Sequence, residues 1–187
     1  MSIFAKIVTG FCLTIFSIQA LMGQTTQVQW MTWDQAMNQS KVEKKKVLVE
    51  IYTVWCSFCK KLDAVTLKEP YIAEYINENF YPIRMDAQTK SPIEVLGKTY
   101  KYKDGYNDLA RELTFGRLAF PTLVFMDENF RVIQPIPGMR SPDELEMIMH
   151  FYARDYYKDT PWDTFVIMYR ERFNKQAPST RTVKGNN

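Results

Sequence analysis

Val47-Leu-Val-Glu-Ile-Tyr-Thr53 is the segment that most limits what this chain can become. It is rich in β-branched residues and nearly continuous in apolarity, the pattern of a strand covered on both faces. Such a strand belongs inside a sheet with helices on either side. It leads through Val54 and Trp55 into Cys56-Ser-Phe-Cys59, and residues 57–67 then read as a helix with Phe58, Leu62 and Val65 on one stripe. Two cysteines therefore stand at a strand-to-helix junction.

The flanking segments build an α/β pattern around that junction. Thr32-Trp-Asp-Gln35 has the form of a capping box and opens a short helix to about residue 39. Lys44-Lys-Lys46 reads as a solvated turn. Residues 71–79 predict a helix with Ile72, Tyr75 and Ile76 inward, and residues 80–86 a strand interrupted by Pro82. Residues 98–103 alternate and end at the turn signal Asp104-Gly105, after which residues 106–115 predict a helix. Residues 122–126 and 131–134 form a hairpin across Asp127-Glu-Asn-Phe130. Ser141-Pro-Asp-Glu144 starts a helix that carries Leu145, Ile148, Met149 and Tyr152 on its inner face. Thr160-Pro-Trp-Asp163 starts the last one, striped by Trp162, Phe165, Val166, Tyr169 and Phe173. A crossover followed by a hairpin predicts a mixed sheet flanked by helices, an α/β sandwich.

With 187 residues, the chain suits one domain. Its 46% hydrophobic and 24% charged residues exclude collagen-like and disordered classes. A net charge of +3 gives no basic footprint for nucleic acid. Residues 1–23 carry Lys6, an apolar run over 7–18 and an exit through Ala20 and Gly23, the form of a secretory signal peptide. The rival reading is an anchor, but the apolar stretch 7–22 falls short of the ~20 residues a span needs. The expectation is a signal peptide over 1–23, a domain over 24–175 with its core at about 46–150, and a flexible tail over 176–187. The mature protein is then periplasmic or secreted, with no stable membrane insertion.

Signal cleavage removes Cys12 and leaves Cys56 and Cys59, in a compartment where disulfides persist. Positions i and i+3 of a helix share a face, so the two sulfurs can bond. At the helix N-terminus the free N–H groups favour a Cys56 thiolate, Lys60 and Lys61 add positive potential, and Cys59 sits one turn deeper. A tetrahedral zinc site wants four ligands, and the mature chain offers two Cys and the distant His150, which reads as a packed or surface residue of a helix. A purely structural disulfide here would close a very small loop with little entropic gain.

The segment 47–61, with Trp55 before the first Cys and Lys60 after the second, resembles the active-site segment of the thioredoxin superfamily. Phe120-Pro-Thr122 resembles its cis-proline loop, and Gly138 its glycine before the last core helix. The resemblance spans about residues 46–150 and points to secreted or periplasmic thioredoxin-like thiol–disulfide oxidoreductases. It implies a thioredoxin-like fold with a central mixed sheet, Cys56 as nucleophile and Cys59 as resolving thiol. Pro121 is then cis beside the site, Phe120 offers backbone hydrogen bonds to an extended substrate, and Trp55 shields the site. Glu50, six residues before Cys56, matches the family's buried acid and is the implied proton acceptor for Cys59. The apolar run around Glu50 favours burial over a strand-end carboxylate in water.

No diffusible cofactor or metal is implied; the redox group is the Cys56–Cys59 disulfide. The implied partners are protein thiols and disulfides, together with a membrane-bound electron donor. Ser57-Phe58 replaces the Gly-Pro of typical thioredoxins, which leaves the direction of electron flow open, with reductase or isomerase-like work favoured. The segment between Asp86 and Pro121 is about twenty residues longer than in a minimal thioredoxin. Its Tyr100, Tyr102 and Tyr106 with Lys98, Lys101 and Lys103 form either a wall of the substrate groove or a packed cover for a sheet edge. Two other classes stay open: a non-catalytic peptide-binding module of the same fold, and a thiol-based metal-handling protein.

Overall fold

The computed structural model describes residues 26–174. The expected signal peptide with Cys12 and the expected tail at 176–187 lie outside the described residues.

The central sheet has four strands: β1 (Lys46–Tyr52), β2 (Phe80–Asp86), β7 (Thr122–Met126) and β8 (Val132–Pro137), in the order β2-β1-β7-β8. Strand β1 pairs parallel with β2 and antiparallel with β7, and β7 pairs antiparallel with β8. The β1–β2 crossover is made by α2 (Ser57–Leu62), a π-helical turn (Asp63–Leu67) and α3 (Pro70–Asn79). Because β1 has a neighbour on each edge and a layer on each face, its residues from Lys46 to Ile51 are all buried. Both sheet edges are blunted. Met31 forms a single parallel bridge to Ile83 on β2, its N–H donating to the Pro82 carbonyl at 2.8 Å. Strand β8 carries Pro135 and Pro137, which an edge strand tolerates.

The alternation along β1 divides the core in two. Val47, Val49 and Ile51 face a cluster with Ile83, Met85 and Val124, covered by α1 (Trp33–Gln39) and α4 (Asp108–Leu113). The insert covers the same face with two hairpins, β3 (Ile93–Val95) with β4 (Lys98–Tyr100) and β5 (Tyr102–Lys103) with β6 (Tyr106–Asn107). Val95 and Tyr100 reach into that cluster, while Tyr102 is exposed. On the other face, Leu48, Leu123 and Phe125 pack with Leu62, Ile72, Ile76 and the inner side of α5 (Pro142–Ala153). Phe125 stacks on Tyr152 at 4.4 Å, and Phe165 of α7 (Trp162–Asn174) closes the layer against Phe151. The short α6 (Tyr156–Asp159) joins α5 to α7. Both expected capping boxes form, Thr32 with Gln35 and Ser141 with Glu144.

Several local expectations are corrected. Phe58 is 61% exposed and Val65 is exposed too; the buried positions are Cys59, Leu62, Thr66 and Leu67. The buried face runs through Cys59, Leu62 and Thr66 at ordinary i, i+3, i+7 spacing, which leaves Phe58 and Val65 beside it rather than on it. The helix expected from residue 106 starts at Asp108, because Tyr106 and Asn107 pair with β5 and the Asn107 side chain caps α4 by accepting from the Leu109 N–H. The hairpin turn has left-handed Asp104 and Gly105, which suits the Asp-Gly pair. Lys46 is not part of a solvated turn. It is the first residue of β1, only 5% exposed, and its Nζ lies 2.6 Å from Glu128 and 2.7 Å from Asp155.

That buried ammonium ties the start of β1 to the β7–β8 turn and to the end of α5. Lys46→Met should therefore lower unfolding stability by about 1–3 kcal/mol, read as a lower urea midpoint with an unchanged slope.

Candidate active site

The end of β1 and the start of α2 position the cysteines. Cys56 is the N-cap of α2, with extended backbone, and its N–H donates to the Thr53 carbonyl at 3.1 Å. The Cys59 N–H donates to Cys56 Sγ at 3.0 Å. Cys56 and Cys59 are disulfide-bonded, with Cα atoms 5.3 Å apart. Cys56 is 5% and Cys59 2% exposed, so in this oxidised state accessibility barely separates them. What separates them is the cap position, which aims a helix-end donor at the sulfur of Cys56. A donor aimed at sulfur favours the thiolate once the bond is reduced.

The residues around the disulfide are open and apolar. Val54, Trp55 and Phe58 are all exposed, Trp55 at 59%. The indole N–H of Trp55 donates to Gln88 Oε1 at 2.8 Å, and Gln88 in turn donates through its backbone to Asp86 Oδ1. The Trp55 ring meets Phe120 edge-on at 6.1 Å, and Phe120 lies against Tyr106 at 5.7 Å. Trp55, Phe120 and Tyr106 thus form a continuous aromatic shelf.

Ile51 pairs with Thr122, so Phe120 and Pro121 precede β7 at the sheet end where β1 delivers the cysteines. The Phe120–Pro121 peptide bond is cis. The Pro121 carbonyl accepts from the Gly138 N–H at 2.7 Å, and the Thr122 hydroxyl donates to the Ala119 carbonyl at 2.7 Å, which pins the loop on both sides. Gly138 has φ +88°, a left-handed conformation that favours glycine.

Glu50 is wholly buried, 0% exposed, on the β1 face that also carries Leu48 and packs under α2. Its register partner on β2 is Arg84, whose Nε lies 3.1 Å from Glu50 Oε2. The Arg84 N–H is not aligned for a hydrogen bond, and neither Glu50 oxygen has a donor among the described residues. The far end of the guanidinium is held by Asp63 Oδ2 at 2.5 Å, and its face lies over Tyr52 at 4.6 Å and Trp30 at 5.8 Å. Burial pushes the Glu50 carboxyl up from 4.5 to about 7; Arg84 opposes this and Asp63 adds to it.

The two cysteines, Glu50, Trp55, Phe120 and Pro121 are all at or beneath this end of the sheet. Arg84, Asp63 and Gln88 are additional members that sequence reasoning missed, whereas Tyr106 was among the insert residues it singled out. Arg84 needs the β1–β2 register and Gln88 belongs to the insert; Asp63, four residues after Cys59, was the one within reach of helical spacing. His150 lies on α5 against the rings of Tyr75 and Tyr169, at 4.3 and 5.4 Å, and burial aided by Arg154 and Arg172 pushes its imidazole down to about 4. Among the described residues no cluster of three or more His, Cys, Asp or Glu is arranged to hold a metal ion.

A carboxyl titrating near 7 when folded and near 4.5 when unfolded makes stability depend on pH. The folded state keeps a proton that the unfolded state has released, so this contribution is complete below pH 4.5 and is lost as pH rises through about 7. Wild type should therefore lose about 3 kcal/mol relative to Glu50→Gln between those limits, measured as the difference between two urea-unfolding pH series.

Comparison with known proteins places this geometry. A thioredoxin-like domain family model matches residues 33–153. No curated protein matches the chain. Among solved structures it is similar to a thioredoxin-fold protein from Helicobacter pylori, at TM-score 0.54 and 19% identity over 71% of this chain and 84% of that one. It is also similar to the DsbH oxidoreductase, at TM-score 0.51 and 16% identity over 68% of this chain and 85% of that one. A third is a thioredoxin from Thermus thermophilus, at TM-score 0.50 and 16% identity over 66% and 85%. At such identities the likeness is one of fold. The family match spans most of the chain and includes the β1–α2 junction with its cysteine pair, and the protein belongs to the thioredoxin-like domain family.

Proposed function

We propose that the protein is an exported thiol–disulfide oxidoreductase that exchanges disulfides with protein substrates, working as a reductase or isomerase. The observation that carries this reading is the Cys56–Cys59 bond at the start of α2, with Cys56 Sγ under the Cys59 N–H. Export rests on the signal-peptide pattern of residues 1–23; no helix among the described residues is long and apolar enough to cross a membrane.

The chemistry starts from the reduced pair. The Cys56 thiolate attacks one sulfur of a substrate disulfide, and the other substrate sulfur leaves as a thiolate that takes a proton from solvent. The Cys59 thiol gives its proton to Glu50, attacks Cys56 Sγ, forms the Cys56–Cys59 bond and expels the substrate as its second thiolate. The substrate disulfide is reduced and the enzyme dithiol oxidised, two electrons in all. Glu50 suits the proton step because its carboxyl titrates near 7, between the thiol and water-exposed acids. The shelf of Trp55, Phe120 and Tyr106 supplies apolar contact for an extended peptide, and the backbone at Phe120 offers it hydrogen bonds. A turnover cycle requires a dithiol donor to reduce Cys56–Cys59 again, which in an oxidising envelope is a membrane-bound electron donor.

Reduction of insulin by dithiothreitol should be accelerated by the wild-type chain and not by Cys56→Ser; equal rates with and without the protein would reject an exchange role. Cys59→Ser should accumulate protein adducts on Cys56 in the native envelope, released by reductant. Alkylation of reduced protein should show Cys56 titrating below the ~8.5 of an ordinary thiol.

A further inference from the structure

The mechanism leaves one charged contact unused, between Asp63 and Arg84. Arg84 stands between two acids. Its Nε faces Glu50 from the paired strand, and its terminal nitrogen is held at 2.5 Å by Asp63 from the π turn that continues α2. Asp63 lies four residues after Cys59, so the element that carries the resolving thiol also carries the acid that grips Arg84. The environment of Glu50 is otherwise sparse. Strand β7 presents Leu123 opposite it, and its own strand presents Tyr52, whose ring carries the Arg84 guanidinium. The N-terminal segment adds the Trp30 ring over Arg84, Asp86 ends β2, and α2 brings Cys56 and Cys59. Among the described residues, Arg84 draws the Glu50 carboxyl down and Asp63 pushes it up.

We propose that Asp63 is a positioning residue for the resolving step: by holding Arg84 from the cysteine-bearing helix it divides that guanidinium between two carboxylates and keeps Glu50 receptive to the proton of Cys59. A single arginine facing Glu50 alone would hold it as a firm carboxylate, a poor acceptor. Sharing the cation with Asp63 offsets part of its charge while leaving its position fixed by ion pair and ring contacts. This rests on the oxidoreductase reading and names a control of its second half-reaction.

The test follows the Glu50 carboxyl carbon by NMR through a pH titration of the reduced full chain, the signal being assigned by its loss in Glu50→Gln. Asp63→Asn keeps an oxygen for Arg84 but removes the charge, and should move the Glu50 midpoint down by about half a pH unit or more. Arg84→Gln should move it up, and Asp63→Glu, which restores the charge, should return it toward wild type. The acidic limb of the rate of mixed-disulfide resolution should move in the same directions.

A midpoint in Asp63→Asn that is unchanged or raised overturns the proposal, as does a common direction for Asp63→Asn and Arg84→Gln. If Arg84→Gln does not fold, the Asp63→Asn and Asp63→Glu pair decides alone, since Asp63 is partly exposed. A chain without exchange activity would reject the proposed function, while the carboxyl titration would still answer whether Asp63 controls Glu50.

Discussion

Strand β1 has partners on both edges and helical or hairpin layers on both faces, so any polar group on it must find its partner inside the protein. It carries two charged residues and meets that demand differently at each. Lys46, at its start, is held by two acids and ties three parts of the chain together. Glu50, deeper in, is given one shared arginine and, among the described residues, no hydrogen-bond donor. The first arrangement satisfies its charge. The second leaves a carboxyl close to balance between its protonated and ionised forms, which is the condition a proton acceptor for a thiol needs.

The same strand also delivers the cysteines. Its register with β7 sets Ile51 opposite Thr122, which brings the Phe120–Pro121 loop to the disulfide end of the sheet. The insert completes that end. Gln88 holds the Trp55 indole and Tyr106 packs on Phe120, so the extra residues both cover one sheet face and finish the aromatic shelf. Of the two readings of the insert, the packed cover is observed: Tyr100 serves the core, while Tyr106 packs on Phe120 and Tyr102 is exposed.

Features decided within a few residues of one another were legible. The capping boxes at Thr32 and Ser141, the Asp104-Gly105 turn and the cysteine pair at a strand-to-helix junction are of this kind, because each depends on local backbone and side-chain chemistry. The exposed Phe58 and Val65 were misread because two adjacent stripes of one helix both fit helical spacing, and the sheet beneath selects the one through Cys59, Leu62 and Thr66. Tyr106 was misread because its pairing with Lys103 overrides a helical pattern. Burial of Glu50 was legible from the apolar run around it, but its partner was not.

The sequence by itself determined that a doubly buried strand ends in a Cys-x-x-Cys pair at the start of a helix, because strand apolarity and helical spacing are properties of adjacent residues. Only the tertiary structure decided what surrounds that pair. Arg84 faces Glu50 because two strands 34 positions apart in sequence share a register, and Asp63 reaches Arg84 because the π turn presents it there. The charge felt by a buried acid depends on groups brought near by folding, and no local pattern encodes them.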